Sequence, residues 1–130
     1  MKWQQKDAAQ RVRDIIRKHT PPEYHDLICD EVPKRWSPEK SILVTVTANG
    51  TPTSNRAWTT ENVHVAVRSR SKPNARSIMA QIDASMIAPR ELSWGLRIKP
   101  ATGLIVVPDS KFGGYVASVT YRVSTNRSLR

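Results

Sequence analysis

Residues 63–83 read VHVAVRSRSKPNARSIMAQID, and the hydrophobic period changes in the middle of that stretch. Val63, Val65 and Val67 recur every second residue, with His64, Ala66 and Arg68 between them, which is the repeat of a strand with one apolar face. Beyond the junction, Ala75, Ile78, Met79, Ile82 and Met86 recur every three or four residues and mark one face of a helix. Pro73 suits the first helical turn, where a missing amide proton costs no hydrogen bond, and Ser71 or Lys72 stands just before it. A strand therefore feeds directly into a helix, and the corner between them carries Arg68, Arg70, Lys72 and Arg76.

Working outward, the strand is expected over residues 58–68, preceded by another over residues 41–48 (SILVTVTA), where Ile42, Val44 and Val46 alternate with Leu43, Thr45 and Thr47. Asn49-Gly50 favours a tight reversal, but TPTSNRA follows, so the connection reads as longer than a two-residue hairpin. Residues 7–19 place Ala8, Val12, Ile15 and Ile16 at helical spacing among charges, and Thr20-Pro21-Pro22 stops that helix. Residues 20–40 read as a connecting arm, briefly extended within residues 27–32. After the second helix, which Ala88-Pro89 ends, residues 90–102 read as irregular and residues 103–107 as a buried strand. PDSKFGG makes a turn, residues 115–123 make a last alternating strand, and residues 124–130 form a basic tail.

The order helix, strand, strand, helix, strand, strand defines an α+β chain, a single domain over residues 1–130. Neither helix can bury its apolar stripe alone, so the expected architecture is a mixed four-stranded sheet with two helices packed on one face. The other face, carrying His64, Arg68, Thr120 and Arg122, is left for solvent or a partner.

Composition agrees with a globular domain: 38% hydrophobic and 25% charged residues, with no long apolar run and no apolar centre near the N-terminus of the kind a secretory signal has. Cys29 is the sole cysteine, so no internal disulfide forms and a reduced compartment is compatible. The net charge of +10 is uneven. Through Ser41, nine Lys or Arg face seven Asp or Glu, giving +2; from Ile42 onward twelve face four, giving +8. Such a surface attracts nucleic acid or an acidic protein face, and it also serves plain solubility.

Catalytic chemistry finds little material. His25 and Cys29 lie four apart but lack a second ligand pair for zinc. A Cys29 nucleophile with His19, His25 or His64 as base is allowed by residue type alone, and the late carboxylates Glu61, Asp83, Glu91 and Asp109 have no spacing that forces them together. Gly113-Gly114 is not a phosphate loop. No catalytic residue, metal or cofactor is expected. The Arg68, Arg70, Lys72 and Arg76 corner sits where the helix dipole disfavours cations, so a phosphate or a partner's carboxylate would be drawn there; solvated turn residues are the plain alternative. Trp36, Trp58 and Trp94 fall in or beside loops, and Lys111-Phe112 precedes the glycine pair. Together they are the candidate interface residues of an assembling protein, or else they roof the ends of the sheet.

A basic amphipathic helix, the Glu31-Val32-Pro33 step, the Ile-Leu-Val-Thr-Val strand, V-x-V-x-V-R, A-x-x-I-M-x-x-I, the Pro108-Asp109 turn and the closing YVASVTYRVS together resemble the tail terminator proteins of long-tailed bacteriophages. The resemblance implies a non-enzymatic ring, usually of six subunits, that caps the tail tube, ends its growth and offers a surface to the head-tail connector. It implies a place at the tail-neck junction of a virion assembled in the host cytoplasm, with no membrane involved. DNA passes through the ring without sequence-specific binding, and the corner arginines face a neighbour's carboxylates or the DNA passage. Small phage neck or tail-completion proteins have similar element orders, and a small basic nucleic-acid-binding protein is the reading from another class.

Overall fold

Helix α1 (Ala8–Lys18) forms where Ala8, Ala9, Val12, Ile15 and Ile16 fall on one face, and all five are buried. Thr20 closes it by donating its hydroxyl to the Ile16 carbonyl at 2.6 Å, and Pro21 and Pro22 cannot continue the ladder. A 3-10 helix at Pro22–Leu27 delivers the chain to β1 (Ile28–Cys29), the brief extension expected within residues 27–32. This computed structural model describes residues 8–54, 58–86 and 96–126.

The strand-to-helix junction stands as expected: β3 (Trp58–Ser69) runs into α2 (Lys72–Met86), with Ser71 before the helix and its hydroxyl accepting from the Asn74 amide. β3 lies between β2 (Leu43–Ser54) and β6 (Tyr115–Asn126), antiparallel to both. β1 pairs in parallel with β2 at one edge. At the other edge β5 (Ile105–Pro108) pairs the start of β6 and β4 (Leu96–Pro100) pairs its end. The sheet order is β1-β2-β3-β6-β4, with β5 also on β6.

The register divides the sheet into two faces. Val44, Val46, Val63, Val65, Val67, Ala117, Val119, Tyr121 and Val123 share the face that meets Ala75, Met79, Ile82 and Met86 of α2 and the buried stripe of α1, forming one core. Burying each valine there contributes about 1.5–3 kcal/mol relative to leaving it in water. The α+β class and the helices on one face are as the periodicity implied.

The sheet has six strands rather than four. β1 is two residues long, too short to show a pattern, and parallel pairing with Val44 and Thr45 holds it. β4 lies in the stretch expected to be irregular. Ile98 turns inward between the exposed Arg97 and Lys99, and Pro100 is tolerated because it ends an edge strand. β5 was expected to be buried, but it is an edge strand with Ile105 53% and Val107 44% exposed. Asn49-Gly50 does not reverse the chain: β2 runs on to Ser54, and a bulge between Asn49 and Thr53 takes up the register shift. β6 reaches Asn126, so the first residues of the expected tail are strand. Residues 127–130, residues 87–95 with Trp94, and the helix stop at Ala88-Pro89 lie outside the described set.

The second face is half covered. Leu43, Thr45 and Ala66 point away from the helices and stand apart from the core cluster, yet they are only 2%, 6% and 1% exposed. The connection between parallel β1 and β2 has to cross one face of the sheet. Residues 30–42 cross this one, because Trp36 docks on Phe112, whose ring lies beneath Arg68 of that face.

Candidate functional site

Two groups of residues that looked separate in the sequence meet at one end of the sheet. Asp109 opens the β5–β6 turn. Its Oδ1 accepts from the Lys111 and Phe112 amides at 3.0 and 3.2 Å, and its Oδ2 accepts from Arg68 Nη1 at 2.5 Å. The turn closes on itself through Asp109 N donating to Gly114 O and Gly113 N donating to Asp109 O. Gly113 and Gly114 have φ of 86° and 72°, the left-handed region that glycine enters without a Cβ clash. Phe112 is thereby held so that the Arg68 guanidinium lies 5.3 Å from its ring centre and Lys111 Nζ the same distance. Trp36 meets the Phe112 ring edge-on at 5.9 Å and donates its indole N–H to Ser41 Oγ.

Arg68 therefore belongs to a closed structural corner with Trp36, Lys111 and Phe112, and its Nε is buried without a hydrogen-bond partner against that stack. Arg70, Lys72 and Arg76 are not drawn into it and remain exposed at the start of α2. The Trp58 backbone is in β3; its side chain, like Trp94, is outside the described set.

Burial alone would raise the Asp109 carboxyl, but the Phe112 and Lys111 amides and then Arg68 outweigh it, and the group is held below the usual carboxylate value. A depressed folded-state pKa means stability that is present above the unfolded value of about 3.9 and lost as pH falls through the folded one. Asp109→Ala should cost about 2–3 kcal/mol in urea unfolding at pH 7, since it strands a partly buried Arg68 and frees two amides, and the gap to the wild type should narrow in strong acid.

Three of the side chains considered for catalysis, His25, Cys29 and His64, are otherwise employed. His25 Nε2 sits 2.8 Å from both the Arg17 and Thr20 carbonyls, so that nitrogen carries a proton and closes the end of α1. Cys29 Sγ donates to the Asp26 carbonyl at 3.4 Å, and burial followed by the Asp30 charge pushes its thiol up, away from nucleophilic character. His64 Nδ1 lies 3.1 Å from Thr120 Oγ1, and burial and then Arg68 lower its pKa. Among the described residues no three His, Cys, Asp or Glu side chains gather as a metal site, and no described helix is long and apolar enough to cross a membrane.

Sequence reasoning expected the brief extension that becomes β1 and the strand that becomes β5, but it missed β4 and the edge positions of all three. At the β1 edge, a groove of about 540 Å³ opens between α1, the 3-10 helix and α2, lined by Ile16, Tyr24, Leu27, Ile42, Ile78 and Ile82 among others. Around it, residues 22–31 carry Glu23, Asp26, Asp30 and Glu31, all exposed, with no Lys or Arg. At the β4 edge, Arg97, Lys99 and Arg122 border a polar hollow of about 430 Å³ with Thr60, Glu61, Asn62 and Ser124, and Glu61 also accepts from the Ala8 amide at the start of α1. The missed signal was the alternation of Arg97 and Lys99 about Ile98, hidden by the neighbouring Trp94-Gly95 and Pro100.

Comparison of the sequence with protein-family models and with curated proteins finds no match. Fold and site define a class in architectural terms: an α+β domain with a six-stranded mixed sheet, helices on one face and an arm over part of the other.

Proposed function

We propose that this chain is a structural, non-enzymatic subunit of a ring, six-membered by the resemblance, that caps the tail tube of a long-tailed bacteriophage, ends its growth and presents a surface to the head-tail connector. It works at the tail-neck junction of the virion, with DNA passing through the lumen. The observation that carries this reading is the layout of the sheet: two helices close one face, the arm closes half of the other, and two edges of unlike character are left open at opposite ends. A ring subunit needs such unlike lateral surfaces, because a heterologous contact closes only when each copy offers two different faces. His25 and Cys29, each tied to backbone carbonyls, fit a role without chemistry.

The test is electron microscopy of purified protein mixed with tail tubes, which should show one ring at one end of each tube; a phage lacking the protein should make overlong or headless tails. Protein spread along the tubes, or absent from them, refutes the reading. The cluster of Arg97, Lys99 and Arg122 favours a second reading, a small nucleic-acid-binding protein. That reading requires micromolar or tighter DNA affinity that falls steeply with salt, roughly one unit of log-log slope per phosphate contacted.

A further inference from the structure

The two open edges of the sheet complement each other. The β1 edge carries an excess of carboxylates, with Glu23, Asp26, Asp30 and Glu31 exposed in the segment that flanks an apolar groove whose rim holds Tyr24, itself 49% exposed; a cation on this edge, Arg17, donates to the Ile28 carbonyl and pairs with Asp14. The edge formed by β4 and β5 is basic and carries apolar knobs. Arg97, Lys99 and Arg122 are exposed, and on the same sheet face Ile105 and Val107 project from β5. Lys99 and Arg122 are direct cross-strand neighbours, both exposed, and like charges in that position destabilise a sheet. Ile105 and Val107, spaced by two, expose aliphatic side chains side by side where a solvated edge strand would carry polar ones. The two edges thus differ in the sign of the charge in excess, with Lys99 and Arg122 on one and four exposed carboxylates on the other, and one carries a groove where the other carries aliphatic knobs.

We infer that the β4–β5 edge of one copy docks on the 3-10 helix and β1 edge of the next, with Arg97, Lys99 and Arg122 facing Glu23, Asp26 and Asp30 and with Ile105 and Val107 meeting the groove beside Tyr24. The contact is head to tail, so it propagates and closes into a ring when the rotation per copy allows. This inference rests on the ring reading above and names the surfaces that build the ring.

The test uses two charge-reversed variants of the full chain, Lys99→Glu with Arg122→Glu, and Asp26→Lys with Asp30→Lys. All four positions are exposed, so circular dichroism should match the wild type. Sedimentation velocity should show wild-type rings, each variant alone associating at least about a hundredfold more weakly, and the equimolar mixture recovering oligomers of alternating composition, since its acidic and basic edges again face each other. Ile105→Ser with Val107→Ser leaves the charges in place and should also weaken association. Either charge variant assembling alone like the wild type overturns the inference, as does a mixture that fails to recover. So does a Lys99 and Arg122 variant that loses DNA binding while assembling normally, which would assign the basic edge to nucleic acid. Variants that cap tubes as wild-type rings refute these surfaces and leave the ring reading standing; a wild type that stays a single chain at every concentration, with and without tubes, removes both.

Discussion

Tyr121→Ala should lower the unfolding free energy by about 3–5 kcal/mol, a large share of the roughly 5–15 kcal/mol that such a domain has in total. Tyr121 is 0% exposed, in β6 on the helix-facing side, with Val63 opposite it in β3 and Pro100 opposite it in β4. Its ring fills the centre of the layer between sheet and helices, and its hydroxyl donates to Asp83 Oδ1 of α2 at 2.5 Å. Removing the ring opens a cavity that the flanking valines cannot collapse into, because their backbones are fixed in the ladder. Tyr121→Phe separates the two contributions: it keeps the ring, loses a hydrogen bond to a carboxylate, and should cost about 1.5–3 kcal/mol. Burial, and then the Asp83 hydrogen bond and charge, raise the Tyr121 pKa far above its ordinary value. For a group whose folded pKa is raised, stability is intact below the unfolded pKa and lost as pH rises beyond it. Wild type should therefore weaken above about pH 10, and Tyr121→Phe should lack that alkaline component. Urea midpoints at pH 7 and pH 11 for the three proteins check both statements; equal midpoints for wild type and Tyr121→Phe at pH 7 would show that the Asp83 bond adds nothing.

Gly114→Ala should be nearly as costly, about 2–5 kcal/mol, although it adds one methyl group. Two causes combine. The φ of 72° costs an L-residue roughly 1–2 kcal/mol, and the new Cβ would stand 2.5 Å from the Ser69 carbonyl oxygen and 3.2 Å from Arg70 Cα. Those atoms are backbone at the β3–α2 junction and cannot swing aside, so the strain adds an overpacking cost of about 1–3 kcal/mol. Gly113→Ala is the control. Its φ of 86° is similar but nothing lies within 4 Å of its Cβ position, so only the conformational cost remains. A Gly114 variant no less stable than the Gly113 variant, by thermal melting, would show that the turn does not press against the junction.

The junction at residues 63–83, the face assignments of β3 and β6, and the buried stripes of both helices were legible in the sequence, because long elements with one buried face repeat the pattern several times. The candidate site was legible only in part. Trp36, Phe112 and Lys111 stood out as loop residues and Arg68 as a corner cation, and the two sets meet through Asp109, a residue read merely as a turn former. The side chains of Arg70, Lys72 and Arg76 do not join them and stay exposed, although the Arg70 backbone lies against Gly114 of the turn. Ile105 and Val107 misled in the other direction: an apolar run fits a buried strand and an exposed edge equally well until its neighbours are known.

By itself, the sequence determined local periods: which residues turn helical or extended, which face of each element is apolar, where Pro21, Pro22 and Pro73 punctuate, and that positive charge gathers in the second part of the chain. Tertiary structure alone decided that a two-residue β1 and a charged β4 would flank the sheet at opposite ends, that the arm would cross the open face onto Phe112, and that acidic and basic edges would face opposite ways. The division has a physical cause. Periodicity is set by backbone geometry within one element, whereas edge placement and coverage depend on pairings between residues far apart in the chain, such as Arg68 with Asp109 and Lys99 with Arg122, whose partners no local pattern specifies.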